Sequence, residues 1–355
     1  MTDYAVIDAD GHVSEPDEMW PEYLPEEFHP SAPRRVFDSQ GRIRNHVGGV
    51  TNPPIPWNPD WAERLRPGGH DPKARLEDMD AEGIREMVLF PTFGLFFAGV
   101  EDFRVQGALC RAYNNWLYDY CATDRARLLG AAVIPHGEVT AARAELRRCV
   151  EELGFKAVMI RPNPVAGRAL HDHYYDPLWT LCEELDVAAC IHEGTTQNVV
   201  QSGFDRFDDF AFRHACSHNH EQQFACLSFT AGGILERHPS LRVVFLESGC
   251  GWVPNWLERL DGHREDWGFF QAPLPLSPSE YFARQCFVSV DPAEKSVPAV
   301  ISLIGDSQLV FATDYPHPDG IFPGVVRAFT ERDDVPEASK VTILRDNALR
   351  CFGLA

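Results

Sequence analysis

Eight short apolar runs, each closing on polar residues, are the feature that most restricts what this chain can fold into. They read YAVIDAD (4–10), EMVLFP (86–91), LLGAAVIP (128–135), AVMIRP (157–162), VAACIHEG (187–194), RVVFLESG (242–249), CFVSVD (286–291) and LVFATDYP (309–316). Segments with helical periodicity separate them, among them 101–122, 138–153, 175–185, 221–237, 252–266 and 338–351. This alternation predicts a parallel sheet covered by helices, because strands buried on both faces read as continuous apolar runs. Eight such units are the number that closes into a (β/α)8 TIM barrel, and 355 residues suffice for one domain of that kind, spanning 1–355. An open doubly wound sheet is the competing arrangement, but no glycine-rich phosphate loop follows the first run.

One region breaks the alternation. Residues 21–74 are rich in Pro, Gly, Trp and Arg and carry little periodicity, which predicts a long insertion after the first strand. Loops after barrel strands lie at the catalytic mouth, so a lid or substrate wall is expected there, with an ordered packing insertion as the alternative. A second proline-rich insert, 269–282, precedes the seventh strand.

Charge and cysteine usage narrow the partners. With 32 basic against 53 acidic residues the net charge is −21, which argues against a nucleic-acid groove or an anionic membrane surface. The ten cysteines form no CxxC pair, and several lie inside apolar runs as buried thiols do. A reducing, cytoplasmic setting is expected, since the start of the chain has acids where a signal peptide carries lysines.

Polar residues at the carboxyl ends of barrel strands converge on one cavity. Here those ends supply Asp10 and His12, Arg161, His192 and Glu193, Glu247, Asp291 and Asp314. Such a set has the composition of a metal site. Asp10 and His12, two apart on a strand, face one side and can share an ion; Asp8 is expected to point elsewhere. Taken singly, Asp10 and Asp314 could be turn residues and His192 a core histidine; their joint position at strand ends favours ligation. His317 is expected to support a ligand, and Arg161 to bind a substrate anion or pair with a carboxylate. Cys250 lacks a neighbouring histidine base and is no better a nucleophile than a buried small residue. Phe93, Phe96, Phe97, Trp252 and Trp256 are candidates for an apolar pocket.

The opening Asp-x-His, the later IHEG, ERHPSLRVVFLESGCGW and the closing ATDYPH together resemble the amidohydrolase-related metal-dependent barrels that include aminocarboxymuconate-semialdehyde decarboxylase. The resemblance covers nearly the whole chain. It implies a divalent metal held by Asp10, His12, His192 and Asp314. Glu247 stands where decarboxylases of this kind carry a catalytic histidine, and Arg161 where binuclear hydrolases carry a lysine. Adding Glu15, Glu247 and His218 gives more donors than one ion needs.

That surplus makes the chain similar to a second branch of these barrels, the nonheme di-iron monooxygenases of platensimycin and platencin biosynthesis. The similarity implies two irons, dioxygen, an external electron donor and a CoA-linked polycyclic terpenoid substrate, with Glu247 and His218 as catalytic residues and Arg161 as the substrate-binding one. The alternative is a hydrolase or nonoxidative decarboxylase with one Zn²⁺ or Mn²⁺ and with His218 or Glu247 as proton carrier. A homo-oligomer is compatible with either.

Overall fold

The structure is a computed structural model that describes residues 4–56, 66–268, 274–318 and 320–354. Parts of the two expected insertions, 57–65 and 269–273, lie outside the described residues.

Every one of the eight apolar runs forms a strand, and all eight pair in parallel. In chain order these are β1 (Val6–His12), then β5 (Ile84–Phe90), β6 (Leu128–Val133), β7 (Ala157–Ile160), β8 (Ala188–Ile191), β9 (Val243–Phe245), β10 (Cys286–Val290) and β11 (Leu309–Phe311). Spatial order follows chain order from β1 to β11. Nearly every residue in them is buried, as two-sided packing against helices requires. The seam between last and first strand closes just beyond β11: Asp314 N–H donates to Asp10 O at 2.9 Å and His12 N–H to Tyr315 O at 2.6 Å. The chain therefore forms a (β/α)8 TIM barrel.

β1 does not run regularly to its end. Its register against β5 shifts between Asp8 and Gly11, so the simple period of two fails there. Asp8 is thereby released from the face of Asp10 and His12. Its carboxylate accepts the N–H of Asp10 at 3.1 Å and the N–H and hydroxyl of Thr313 across the seam. Gly11 leaves room for the Met87 side chain of β5: a Cβ there would stand 2.4 Å from Met87 Sδ and force that side chain to shift.

The helices follow their expected ranges, with two differences. The histidine-bearing helix runs Phe210–Phe229 rather than 221–237, because Asp209 caps it and accepts from Phe212 N–H at 3.2 Å. The last expected helix is interrupted by a π turn, Thr342–Asp346.

The insertion after β1 is more ordered than its composition suggests. It contains a small antiparallel sheet of β2 (Arg34–Phe37), β3 (Ile43–Val47) and β4 (Val50–Thr51). Gly48 and Gly49, both at positive φ, turn β3 into β4 as a tight hairpin demands. Asn52, at the exit, accepts Thr196 Oγ1–H at 3.0 Å and Gln197 N–H at 2.8 Å. These two bonds fasten the sheet to the loop after β8, over the carboxyl ends of the strands.

Candidate metal centre

Four side chains from strand ends meet round one atom. His12 Nε2 lies 3.4 Å from Asp10 Oδ1, 3.4 Å from Asp314 Oδ1 and 3.1 Å from His192 Nε2. Ligands about 2.1 Å from a tetrahedral ion stand about 3.4 Å from one another, so Asp10, His12 and His192 match one coordination shell, while Asp314 groups with His12 and His317.

Hydrogen bonding shows which lone pairs face inward. His12 Nδ1 contacts Pro91 O at 2.8 Å and His192 Nδ1 contacts Glu193 O at 2.7 Å. A carbonyl only accepts, so each Nδ1 carries the proton and each Nε2 presents a lone pair to the other. Asp10 Oδ1 is buried there without a hydrogen bond. Two facing lone pairs and an unsatisfied carboxylate oxygen suit a divalent cation of the zinc or manganese kind.

Asp314 adopts φ 56° and Glu247 φ 52°, left-handed conformations that β-carbon residues rarely take. At the ends of β11 and β9 they aim a carboxylate back over the barrel mouth. Glu247 Oε2 lies 3.2 Å from His192 Nε2, and Oε1 lies 3.6 Å from His218 Nε2. His214, one helical turn before His218, completes a second group of closely spaced donors with His218 and Glu247.

The other expected site residues are placed differently. Glu15, expected as a ligand, is occupied by the backbone: its carboxylate accepts the N–H groups of Thr92, Phe93 and Gly94 at 3.1, 2.9 and 3.0 Å. It orders the loop after β5 and belongs to no ligand group among the described residues. Arg161, expected to bind substrate, is fully buried. Its guanidinium donates to Leu95 O, Asn163 Oδ1 and Gly194 O at 3.2, 2.7 and 2.7 Å and pairs with Glu193 at 3.2 Å. Burial pushes the Glu193 carboxyl up to about 7 despite that partner. Asp291 caps its own loop by accepting from Ala293 N–H. His317 supports Asp314 through Nδ1 at 2.7 Å and stacks on His12. Cys250 is buried, its thiol pushed up by desolvation.

A cavity of about 340 Å³ opens on the site. Phe93, Leu95, Phe96 and Phe210 wall one part of it, and the insertion supplies Arg35, Ile43, Asn45, Asn52 and Ile55. Arg35 and His214 were not singled out from the sequence. Arg35 lies in the low-periodicity insertion, whereas His214 was legible as the i−4 neighbour of His218.

Among curated proteins the chain is 27% identical to 2-amino-3-carboxymuconate-6-semialdehyde decarboxylase of Dictyostelium discoideum, over 80% of this chain and 77% of that protein. It is 28% identical to gamma-resorcylate decarboxylase of Rhizobium sp. (strain MTP-10005), over 79% and 86% of the two chains. Its fold matches the amidohydrolase map2389c from Mycobacterium avium subsp. paratuberculosis K-10 with a TM-score of 0.81, at 24% identity over 100% and 99% of the chains. It also matches a dihydroxybenzoic acid decarboxylase from Polaromonas sp. JS666, whose crystals hold manganese and 2-nitroresorcinol, with a TM-score of 0.69 at 20% identity over 98% and 97%.

These relatives overturn the expectation of a di-iron monooxygenase acting on a CoA-linked terpenoid, and with it the oxidoreductase class. Glu15 also leaves the expected donor set, because the backbone occupies its oxygens. With residues 7–354 matched from end to end, the chain belongs to the amidohydrolase family described by Amidohydro_2.

Proposed function

We propose that this protein is a metal-dependent, nonoxidative decarboxylase of a small planar carboxylic acid, an aromatic or enolic one. The observation that carries the reading is the close set of Asp10, His12 and His192, with Asp314 3.4 Å from His12, beside an apolar cavity that is lined by Glu247, which contacts His192, and by His317, which contacts Asp314. The decarboxylase relatives support it, and the manganese of one of them favours that ion or zinc. A divalent cation in this set supplies Lewis acidity to substrate oxygens.

The chain's own groups do the rest. Phe93, Leu95 and Phe96 exclude water from the face of the substrate, and Arg35 offers a guanidinium to an anionic group at the cavity wall. In the reaction the carbon–carboxylate bond breaks, CO₂ leaves, and the electron pair left on carbon takes up one proton. No oxidant is needed.

His317 and Asp314 hold that proton. Thr92 Oγ1–H donates to Val13 O, so Thr92 accepts from His317 Nε2–H at 3.0 Å. His317 Nδ1 then faces Asp314 Oδ1 at 2.7 Å, a contact that requires a second proton. That second proton sits on His317 Nδ1, which donates to the Asp314 carboxylate at the edge of the cavity, where a carbanionic carbon can receive it.

The test is to load the protein with Mn²⁺ and offer hydroxybenzoic, carboxyvanillic and enol carboxylic acids in D₂O. CO₂ release with one deuterium at the vacated carbon, and without oxygen uptake, is expected. Absence of CO₂ release across the panel, or turnover that consumes oxygen, rejects the reading.

A further inference from the structure

We infer that Arg75 is a positioning residue for the proposed cation site: its guanidinium fixes the backbone of His12 directly and, through the Tyr315 ring, the segment that carries Asp314. This rests on the reading of His12 and Asp314 as ligands of a cation. Arg75 is not among the residues that line the apolar cavity, so it acts through its neighbours.

Arg75 lies on the helix Pro72–Glu82, which Asp71 caps by accepting from Lys73 N–H at 2.9 Å. Its side chain is fully buried. Among the described residues the partners of the guanidinium are neutral. Nε donates to Gly68 O at 2.8 Å, one terminal nitrogen donates to Met87 Sδ at 2.9 Å and the other donates to His12 O. The Tyr315 ring centroid lies 4.4 Å from Cζ. Burying a cation without a carboxylate beside it is unfavourable, and an apolar side chain would fill the same space without that cost. What only a guanidinium supplies is a planar fork of donors at fixed angles, able to hold two carbonyls and an aromatic face at once.

The groups it joins come from three segments of the barrel mouth. His12 O ends β1, and Gly68 O belongs to the 3₁₀ turn Pro67–Gly69 that follows the insertion. That turn is tied to β1 again where Gly69 O accepts Ser14 N–H at 2.8 Å. Tyr120 adds a hydroxyl that donates to Gly68 O at 2.6 Å. Tyr315, the residue after Asp314, is held from three sides. Its carbonyl accepts His12 N–H at 2.6 Å, its ring packs on the guanidinium, and its hydroxyl donates to Asp78, which Arg66 also binds at 3.2 Å. Arg75 thereby sets the 3.4 Å between His12 Nε2 and Asp314 Oδ1 from behind both residues. Ligand atoms work only when held within about 0.5 Å of their geometry.

The experiment compares wild type with Arg75→Met, which fills similar volume without donors, and with Arg75→Lys, which keeps the charge but has no fork. The readouts are Mn²⁺ affinity, the electron spin resonance spectrum of bound Mn²⁺, and the thermal midpoint of metal-free protein. Losing a group that orients a ligand typically weakens metal binding about 10–100-fold, and that loss is expected in Arg75→Met. Its bound Mn²⁺ spectrum should broaden, with Arg75→Lys intermediate and both metal-free midpoints near that of wild type. A purely structural role would instead lower the metal-free midpoint and leave affinity and spectrum unchanged. That pattern, wild-type affinity in either folded variant, or failure of both variants to fold overturns the inference. If wild type itself binds no Mn²⁺, the cation site fails and this inference with it; if wild type binds and the variants match it, the positioning role alone falls.

Discussion

At the scale of residues, the site separates groups that face a ligand from groups that hold them. Arg161 and Glu193 illustrate the second kind. Both are fully buried, and Glu193 also accepts from Gln201. Removing one partner of a buried pair costs about 3–5 kcal/mol, because the other charge is left without compensation. Arg161→Ala should therefore destabilise the fold by that amount in chemical denaturation. Its pH dependence follows from Glu193, whose carboxyl burial pushes up to about 7 from an ordinary 4.5. Between those values the folded state holds the proton more tightly than the unfolded chain, so stability from this group falls as pH rises. Without Arg161 the folded value rises further and the decline extends above pH 7, at up to about 1.4 kcal/mol per unit. A variant with wild-type stability at both pH 7 and pH 8.5 would show that the pair is dispensable. The strand-end residues Asp10, His12, His192 and Asp314 were readable because each closes an apolar run. The occupation of Glu15 by three backbone N–H groups was not, since those donors come from a loop nearly eighty positions away.

At the scale of elements, the insertion after β1 is what distinguishes this mouth from a bare barrel. Its hairpin was visible in the sequence as VGGV, a two-glycine turn between β-branched residues, but the surrounding prolines and charges masked the period. What holds the sheet over the site is tertiary: Asn52 Oδ1 accepting from Thr196 and Gln197. Asn52→Ala leaves those donors without their acceptor, a loss of about 1–3 kcal/mol at the junction. Since the sheet carries Arg35, Ile43 and Ile55 into the pocket wall, KM for the carboxylic acid substrate should rise severalfold with kcat little altered. An unchanged KM would mean that the sheet is not a substrate wall.

At the scale of the whole molecule, the barrel brings residues from positions 10, 12, 192 and 314 together by closing its seam at Asp10 and Asp314. A bound cation then cross-links β1, β8 and β11, and stabilises the native state through mass action. At free metal about a hundredfold above Kd the gain is about 2.7 kcal/mol. Chelation should accordingly lower the thermal midpoint in calorimetry, and readdition of Mn²⁺ should restore it; coincident midpoints in both states would remove the cation from the site. No helix among the described residues is long and apolar enough to cross a membrane. The sequence by itself determined the barrel and the strand-end donors, because strand burial and helix amphipathicity are local periodicities written into neighbouring positions. Only the tertiary structure decided that Asp8 clasps the seam, that Arg161 is closed off from substrate, that Glu247 stands between two donor groups, and that His214 joins one of them. Those outcomes depend on a register shift, on burial and on distances between segments far apart in the chain, which no local pattern encodes.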